Sequence, residues 1–221
     1  MGIVRVNLGD NLASPMGSPP RGGVISSRER YFSDFLTYLS ALVGLASLIE
    51  LYNQPGIYRP DDTVRIICRQ DDYQWFWHPS PTMETLVQNI WPEVLHLQRL
   101  PRAGARPNED LHLGSLKKLM HSFGQALVAN YFERYKRHFE ASDGRFDEDK
   151  APPVWNFARV VRNAMSHGGV LTLKPRSRAV SWKGLHYSGA QAGRSILHTD
   201  IYPGDLFDLL RDMDSALPEC A

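Results

Sequence analysis

Val160-Val161-Arg162-Asn163-Ala164-Met165-Ser166-His167-Gly168-Gly169 is the stretch on which the reading of this chain turns. It follows Pro152-Pro153, and a proline at the first helical position is tolerated because the N–H it lacks would have no partner there. Trp155, Phe157, Ala158 and Val161 then recur at roughly three-and-four spacing, the stripe that a helix buries. Gly168 and Gly169 supply the left-handed backbone with which helices commonly stop. The pattern predicts a short helix over about 153–167, with His167 in its last turn or at its cap. Residues five apart on an ideal helix lie about 140° apart around the axis, which would separate Arg162 from His167. Once the glycine pair loosens the last turn, the imidazole can swing back over the preceding turn and share a small pocket with the guanidinium. A fork of Arg donors beside a titratable His suits a phosphate. The carbonyl end of the helix favours protonated His167 and the neighbouring Arg162 disfavours it, and the sequence leaves that balance open.

Arg162, Asn163 and His167, followed by small residues, resemble the Arg-x4-His signature of the HEPN domains, helical bundles of prokaryotic toxins, phage-defence proteins and some eukaryotic ribonucleases. The resemblance implies a metal-independent endoribonuclease acting as a toxin or phage-defence effector, in which two subunits form a homodimer and their paired motifs line an RNA cleft. The RNA 2′-OH would attack the neighbouring phosphate, with His167 as general base or acid, Arg162 stabilising the developing charge and Asn163 orienting or holding the site. A cognate antitoxin protein would be a further partner; neither cofactor nor metal is implied. Two other readings remain open. The same helix end can hold a nucleotide or RNA phosphate without cleaving it. Or the chain is a partner-binding helical protein, with Arg162 in a salt bridge and His167 an inaccessible cap.

With 221 residues the chain suits one core with embellishments. Lys plus Arg number 25 against 24 for Asp plus Glu, so any RNA contact must come from a local basic cluster and not from an overall field. Cys68 and Cys220 lie far apart without metal-like spacing, which points to free thiols in a reducing, cytoplasmic setting. The first residues carry too short an apolar run for a signal peptide. The most apolar segment, 35–52, is interrupted by Thr37, Ser40, Ser47 and Glu50, short of the roughly 20 residues that span a bilayer, so no membrane is expected. Among eight histidines no pair has the His-x3-His spacing of a helical zinc site, and His112 and His121 are nine apart. The phosphate loops of nucleotide-binding enzymes are absent as well.

Along the chain, 1–26 reads as an arm rich in Gly and Pro with a short strand over 3–7. Ser27 is placed to cap a first helix, 27–53, whose stripe includes Phe32, Phe35, Leu36, Leu39, Leu42 and Val43. Residues 63–68 are β-branched, and Tyr73, Trp75, Phe76 and Trp77 read either as aromatic packing of a short strand or loop, or as a stacking platform for RNA bases. A second helix is expected over 82–100, kinked or restarted at Pro92. The loop after it brings Arg99, Arg102 and Arg106 together. A third helix, 113–141, carries a basic end, Arg134 to His138, that offers a phosphate track if it faces Arg162. After Gly169 the period changes to alternation, and a small antiparallel sheet or pair of hairpins is expected around 170–198, covering the open side of the motif helix, with Arg176, Arg178 and Lys183 towards substrate. Tyr202-Pro203 opens a final helix ending near 217. The expected fold is therefore mostly α: a HEPN-like bundle of four main helices plus a C-terminal one, a single domain over 27–221 with a small β insertion.

Overall fold

Phe32, Phe35, Leu36 and Leu39 are all buried, and their three-and-four spacing places them on one side of an α-helix, Phe32–Asn53 (α1). In the computed structural model, which describes residues 24–53, 64–77, 93–101 and 117–218, that side has an antiparallel sheet to pack on. The strands are Val24–Ser26 (β1), Val64–Ile67 (β2), Tyr73–Trp77 (β3) and Val94–Pro101 (β4), hydrogen-bonded in the order β1-β4-β3-β2. Register places Ile25 opposite Leu95, Leu97 opposite Trp77 and Ile66 opposite Trp75. Residues directly opposite in a ladder share a face, so these six buried side chains form one apolar surface. Phe35 meets Trp75 edge to face at 6.5 Å between ring centres.

This sheet overturns the expectation of a mostly helical bundle: the described residues form an α/β mix. The helix expected over 82–100 is a strand in its described part. Pro92 denies a helix its next hydrogen bond, and Leu95 and Leu97 bury at a spacing of two. β4 is paired on both edges, by β1 and by β3, so its backbone groups are satisfied only in the sheet. The capping role read for Ser27 gives way too, because its N–H bonds the Glu93 carbonyl in continuation of the β1 ladder and the helix starts at Phe32. Two of the four clustered aromatics are packing: Trp75 and Trp77 are each 1% exposed and have no free face for a base, whereas Tyr73 is exposed and Phe76 is half-buried. The strand read over 3–7, Arg102, Arg106 and the first part of the expected second helix lie outside the described residues.

The chain divides into two compact units: Met1–Ile67 with Asp72–Ala105, which holds the sheet and α1, and Cys68–Asp71 with Arg106–Ala221. In the second, Lys117–Tyr135 (α2), Pro153–Ser166 (α3) and Pro203–Ser215 (α4) pack on one another, and a hairpin of Val180–Trp182 (β5) and Leu185–Tyr187 (β6) lies against α3. The expected third helix ends early, because a 3-10 turn, Lys136–Phe139, replaces its last residues.

Trp155 sits at the centre of this unit. It is fully buried, its ring lies 5.3 Å from Phe132, 5.0 Å from Phe139 and 6.3 Å from Tyr131, and its Nε1–H donates to the Met213 carbonyl at 2.9 Å. One side chain thus joins α2, the 3-10 turn, α3 and α4. Two residues on, towards the opposite side of α3, Phe157 stacks on Tyr187 at 5.3 Å and meets Trp182 at a tilt at 5.5 Å, which fixes the hairpin to the motif helix.

Candidate functional site

The helix that carries Arg162 and His167 ends as its glycines dictate. His167 is the C-cap, Gly168 and Gly169 have φ of +70° and +87°, and the Gly169 N–H reaches back to the Ala164 carbonyl at 2.8 Å, the six-to-one bond of a Schellman stop. A helix end leaves carbonyls without intrahelical partners. Here the Met165 carbonyl accepts from His121 Nε2 at 2.7 Å, which requires the tautomer with hydrogen on Nε2, since a carbonyl can only accept. One turn further along α2, Gln125 Nε2 donates to the Ser166 hydroxyl at 3.5 Å. The end of α3 is therefore fastened by two side chains of α2.

Arg162 lies in the last two turns of this helix, and its fork is largely committed. Nε and Nη2 donate to Asn163 Oδ1 at 3.3 and 2.7 Å, Nη1 donates to Glu133 in an ion pair, and the guanidinium stands 4.9 Å over the Phe132 ring. Helical side chains lean towards the N-terminus of their helix, so Arg162 reaches back along α3 and away from the glycine stop. Hydrogen bonds to Lys136 first, then the Arg162 charge, hold the Glu133 carboxyl below its ordinary range against the opposing effect of its slight burial. Glu133 also pairs with Lys136 Nζ at 2.7 Å. Three charges thus form a short network along α2.

His167 is exposed, and among the described residues no hydrogen bond or ion pair holds its ring. Within one copy the Arg162 guanidinium donates to Asn163 and Glu133, and among the described residues no hydrogen bond links it to the His167 ring.

Several of the other expected contacts have partners within the chain, some of them at the exposed surface. Lys183 is turned inward to Asp71 at 2.9 Å and Asp208 at 3.3 Å, and not towards substrate. Arg178 pairs with Asp149 at 3.0 Å. At the basic end of α2, Lys136 serves Glu133 and Arg134 lies 5.7 Å over Tyr135. Arg99, on β4, lies 4.3 Å over the Tyr73 ring. Sequence reading missed Glu133 and His121 as the groups that fix the motif helix. A carboxylate 29 positions from its Arg shows no pairing signal until two helices are laid side by side.

Among the described residues no group of three His, Cys, Asp or Glu side chains is arranged to hold a metal ion, and no helix is long and apolar enough to cross a membrane. Comparison of the chain with family models, with characterised proteins and with solved structures gives no match.

Proposed function

We propose that the chain is a metal-independent endoribonuclease in which Arg162, Asn163 and His167 of two copies form the catalytic groups. The observation that carries this reading is the pairing, on one helix, of an exposed imidazole with no partner among the described residues and a guanidinium held in place with donors to spare. Arg has five N–H donors, and three of those of Arg162 are engaged. Two remain for a phosphoryl oxygen. The Glu133 carboxylate is nearly half exposed, and ion pairs of that kind are worth only about 0–1 kcal/mol, so an incoming phosphate can compete for the fork.

In the reaction, His167 takes the proton from the RNA 2′-hydroxyl, whose oxygen attacks the adjacent phosphorus. The new 2′-O–P bond forms as the P–O5′ bond breaks, and a second acid protonates the departing 5′-oxygen. The products are a 2′,3′-cyclic phosphate and a 5′-hydroxyl. Arg162 stabilises the extra charge on the phosphoryl oxygens, and Asn163 positions Arg162 through its Oδ1. Arg162 is engaged by Asn163 and Glu133 within one copy, and in this reading a second copy completes the cleft by bringing its motif across a two-fold axis. That copy also supplies the second acid. A toxin or phage-defence role, restrained by an antitoxin protein, fits such an activity.

The test is incubation of purified protein with RNA in EDTA, reading fragments with 2′,3′-cyclic ends. His167→Ala and Arg162→Ala are each expected to lower cleavage by at least about 100-fold, the lower range for removing a general acid–base group, while the dimer persists in size-exclusion chromatography. Full activity in either variant rejects the assignment. The Arg162–Glu133 pair favours one rival, the partner-binding helical protein with Arg162 in a salt bridge, whereas the exposed His167 departs from the inaccessible cap of that reading. A second rival is a module that holds an RNA phosphate without cutting it. Binding without fragments would select that rival.

A further inference from the structure

A groove of about 310 Å³ opens on the side of α3 beside the motif, lined by Arg159, Asn163, Thr172, Lys174 and Ser177, with Val160 and Leu173 supplying its apolar lining. Its chemistry is one-sided. Two cations, two hydroxyls and an amide face it, and no carboxylate lines it. In a chain whose net charge is +1, such a local excess of donors selects an anion. The donors are available. Lys174 is exposed and forms no ion pair among the described residues. Arg159 gives Nη2 to the Glu148 carboxylate at 2.5 Å, which offsets part of its charge, and its Nε is buried, so Nη1 is the group it can offer. Asn163 has its carbonyl oxygen turned to Arg162, and among the described residues nothing claims its Nδ2 donors.

The rim is built and not incidental. Residues 174–177 close a turn in which the Ser177 N–H bonds the Lys174 carbonyl at 2.9 Å and the Lys174 N–H bonds Ser177 Oγ at 3.2 Å. Behind the turn Gly189 approaches so closely that a Cβ there would lie 2.4 Å from the Lys174 carbonyl oxygen and 2.6 Å from the Pro175 Cα. The size is at the lower limit for small-molecule sites, which run from about 300 to 1,000 Å³, and suits one nucleotide.

We infer that this groove seats the nucleotide of an RNA strand next to the scissile phosphate, with Lys174 and Arg159 on its phosphate and Thr172, Ser177 and Asn163 as hydrogen-bonding partners. The inference rests on RNA being the substrate, as proposed above. Asn163 links the two places: its oxygen orients the Arg162 fork while its residue lines the groove. His167 lies four residues on, about 6 Å along the helix axis, roughly one nucleotide step for an extended strand. The groove thereby sets the register in which a strand crosses the motif.

The experiment uses the full chain and a ten-nucleotide 2′-O-methyl RNA carrying a 5′ fluorophore, which cannot be cut by 2′-OH attack. Anisotropy titrations at several salt concentrations give affinity and the number of phosphate contacts. Lys174→Ala is expected to weaken binding about 5- to 10-fold and to reduce the slope of log affinity against log salt by about 0.7, the value for one phosphate contact on a single strand. Thr172→Ala is expected to weaken it about 2- to 3-fold without changing the slope. Arg145→Ala, an exposed cation elsewhere on this unit, should leave both unchanged. Equal losses in Lys174→Ala and Arg145→Ala, or none in either, overturn the groove. Cleavage of ordinary RNA by the wild-type protein, measured in parallel, separates the two claims. Cleavage with no effect of Lys174→Ala on binding removes the groove and keeps the nuclease. Loss of affinity in Lys174→Ala without cleavage by the wild type keeps the groove and removes the nuclease. Gly189→Ala, which must displace the Lys174–Pro175 backbone, provides a second variant expected to lower affinity through the wall of the groove.

Discussion

Arg162 is held by one residue that helps it and one that competes for it. Asn163 aligns the fork through a neutral oxygen, whereas Glu133 cancels part of the charge that a phosphate would feel. Glu133→Gln should therefore leave stability nearly unchanged, within about 1 kcal/mol for a half-exposed pair, and raise RNA affinity or cleavage. Urea denaturation and the fragment assay read the two effects, and a drop in cleavage would mean that Glu133 supports the site. A second residue carries a different kind of constraint. Asp205 is fully buried and accepts the N–H groups of Arg69 at 2.9 and 3.0 Å, Gln70 at 3.0 Å and Tyr202 at 2.8 Å. Burial pushes its carboxyl from an ordinary value of 3.8 up to about 6, although the three backbone donors pull it down. A carboxyl raised on folding holds its proton more tightly in the folded state. The stability it contributes is thus present near pH 4 and is lost as pH rises through 6. Asp205→Asn turns an amide donor towards a backbone donor and should cost about 1–3 kcal/mol. The gap between wild type and variant should be wider at pH 4.5 than at pH 7.5, and a gap that widens with pH would contradict the assignment.

At the scale of elements, α3 and α4 were legible because their signals are local. Pro153 and Pro203 stand at their first positions, and Gly168 and Gly169 stand where the backbone of α3 must turn left-handed. The two glycines should respond differently to substitution. Gly168→Ala puts a Cβ into open space and should cost only the strain of positive φ, about 1–2 kcal/mol. Gly169→Ala adds a contact 3.2 Å from Leu197 Cβ at a buried position and should cost roughly 2–4 kcal/mol, as measured by urea unfolding. Equal costs would mean that Leu197 moves aside. The hairpin β5–β6 was also foreseeable, since alternation brackets Lys183-Gly184, and both residues have the positive φ of a two-residue turn, +44° and +84°. β4 was not. Its apolar residues fit a helix as well as a strand when read alone, and the difference lies in partners about 70 and 25 positions earlier in the chain.

At the scale of the whole molecule, 25 Lys plus Arg against 24 Asp plus Glu provide no overall field to draw in nucleic acid, and the proposed cleft takes its groups from two chains. Specific activity should accordingly fall when the protein is diluted below its dimerisation constant, and return on concentration. Cleavage strictly proportional to protein over that range would show that one copy suffices. The sequence by itself determined the motif helix, its glycine stop, the hairpin and the final helix, because each is written in residues within one or two turns of one another. Only the tertiary structure decided that the described residues form an α/β mix, that Glu133 occupies the Arg162 fork and that His121 fastens the end of α3. Those outcomes depend on strands and helices meeting across many tens of residues, where a ladder of hydrogen bonds or a buried face outweighs what any short stretch prefers alone.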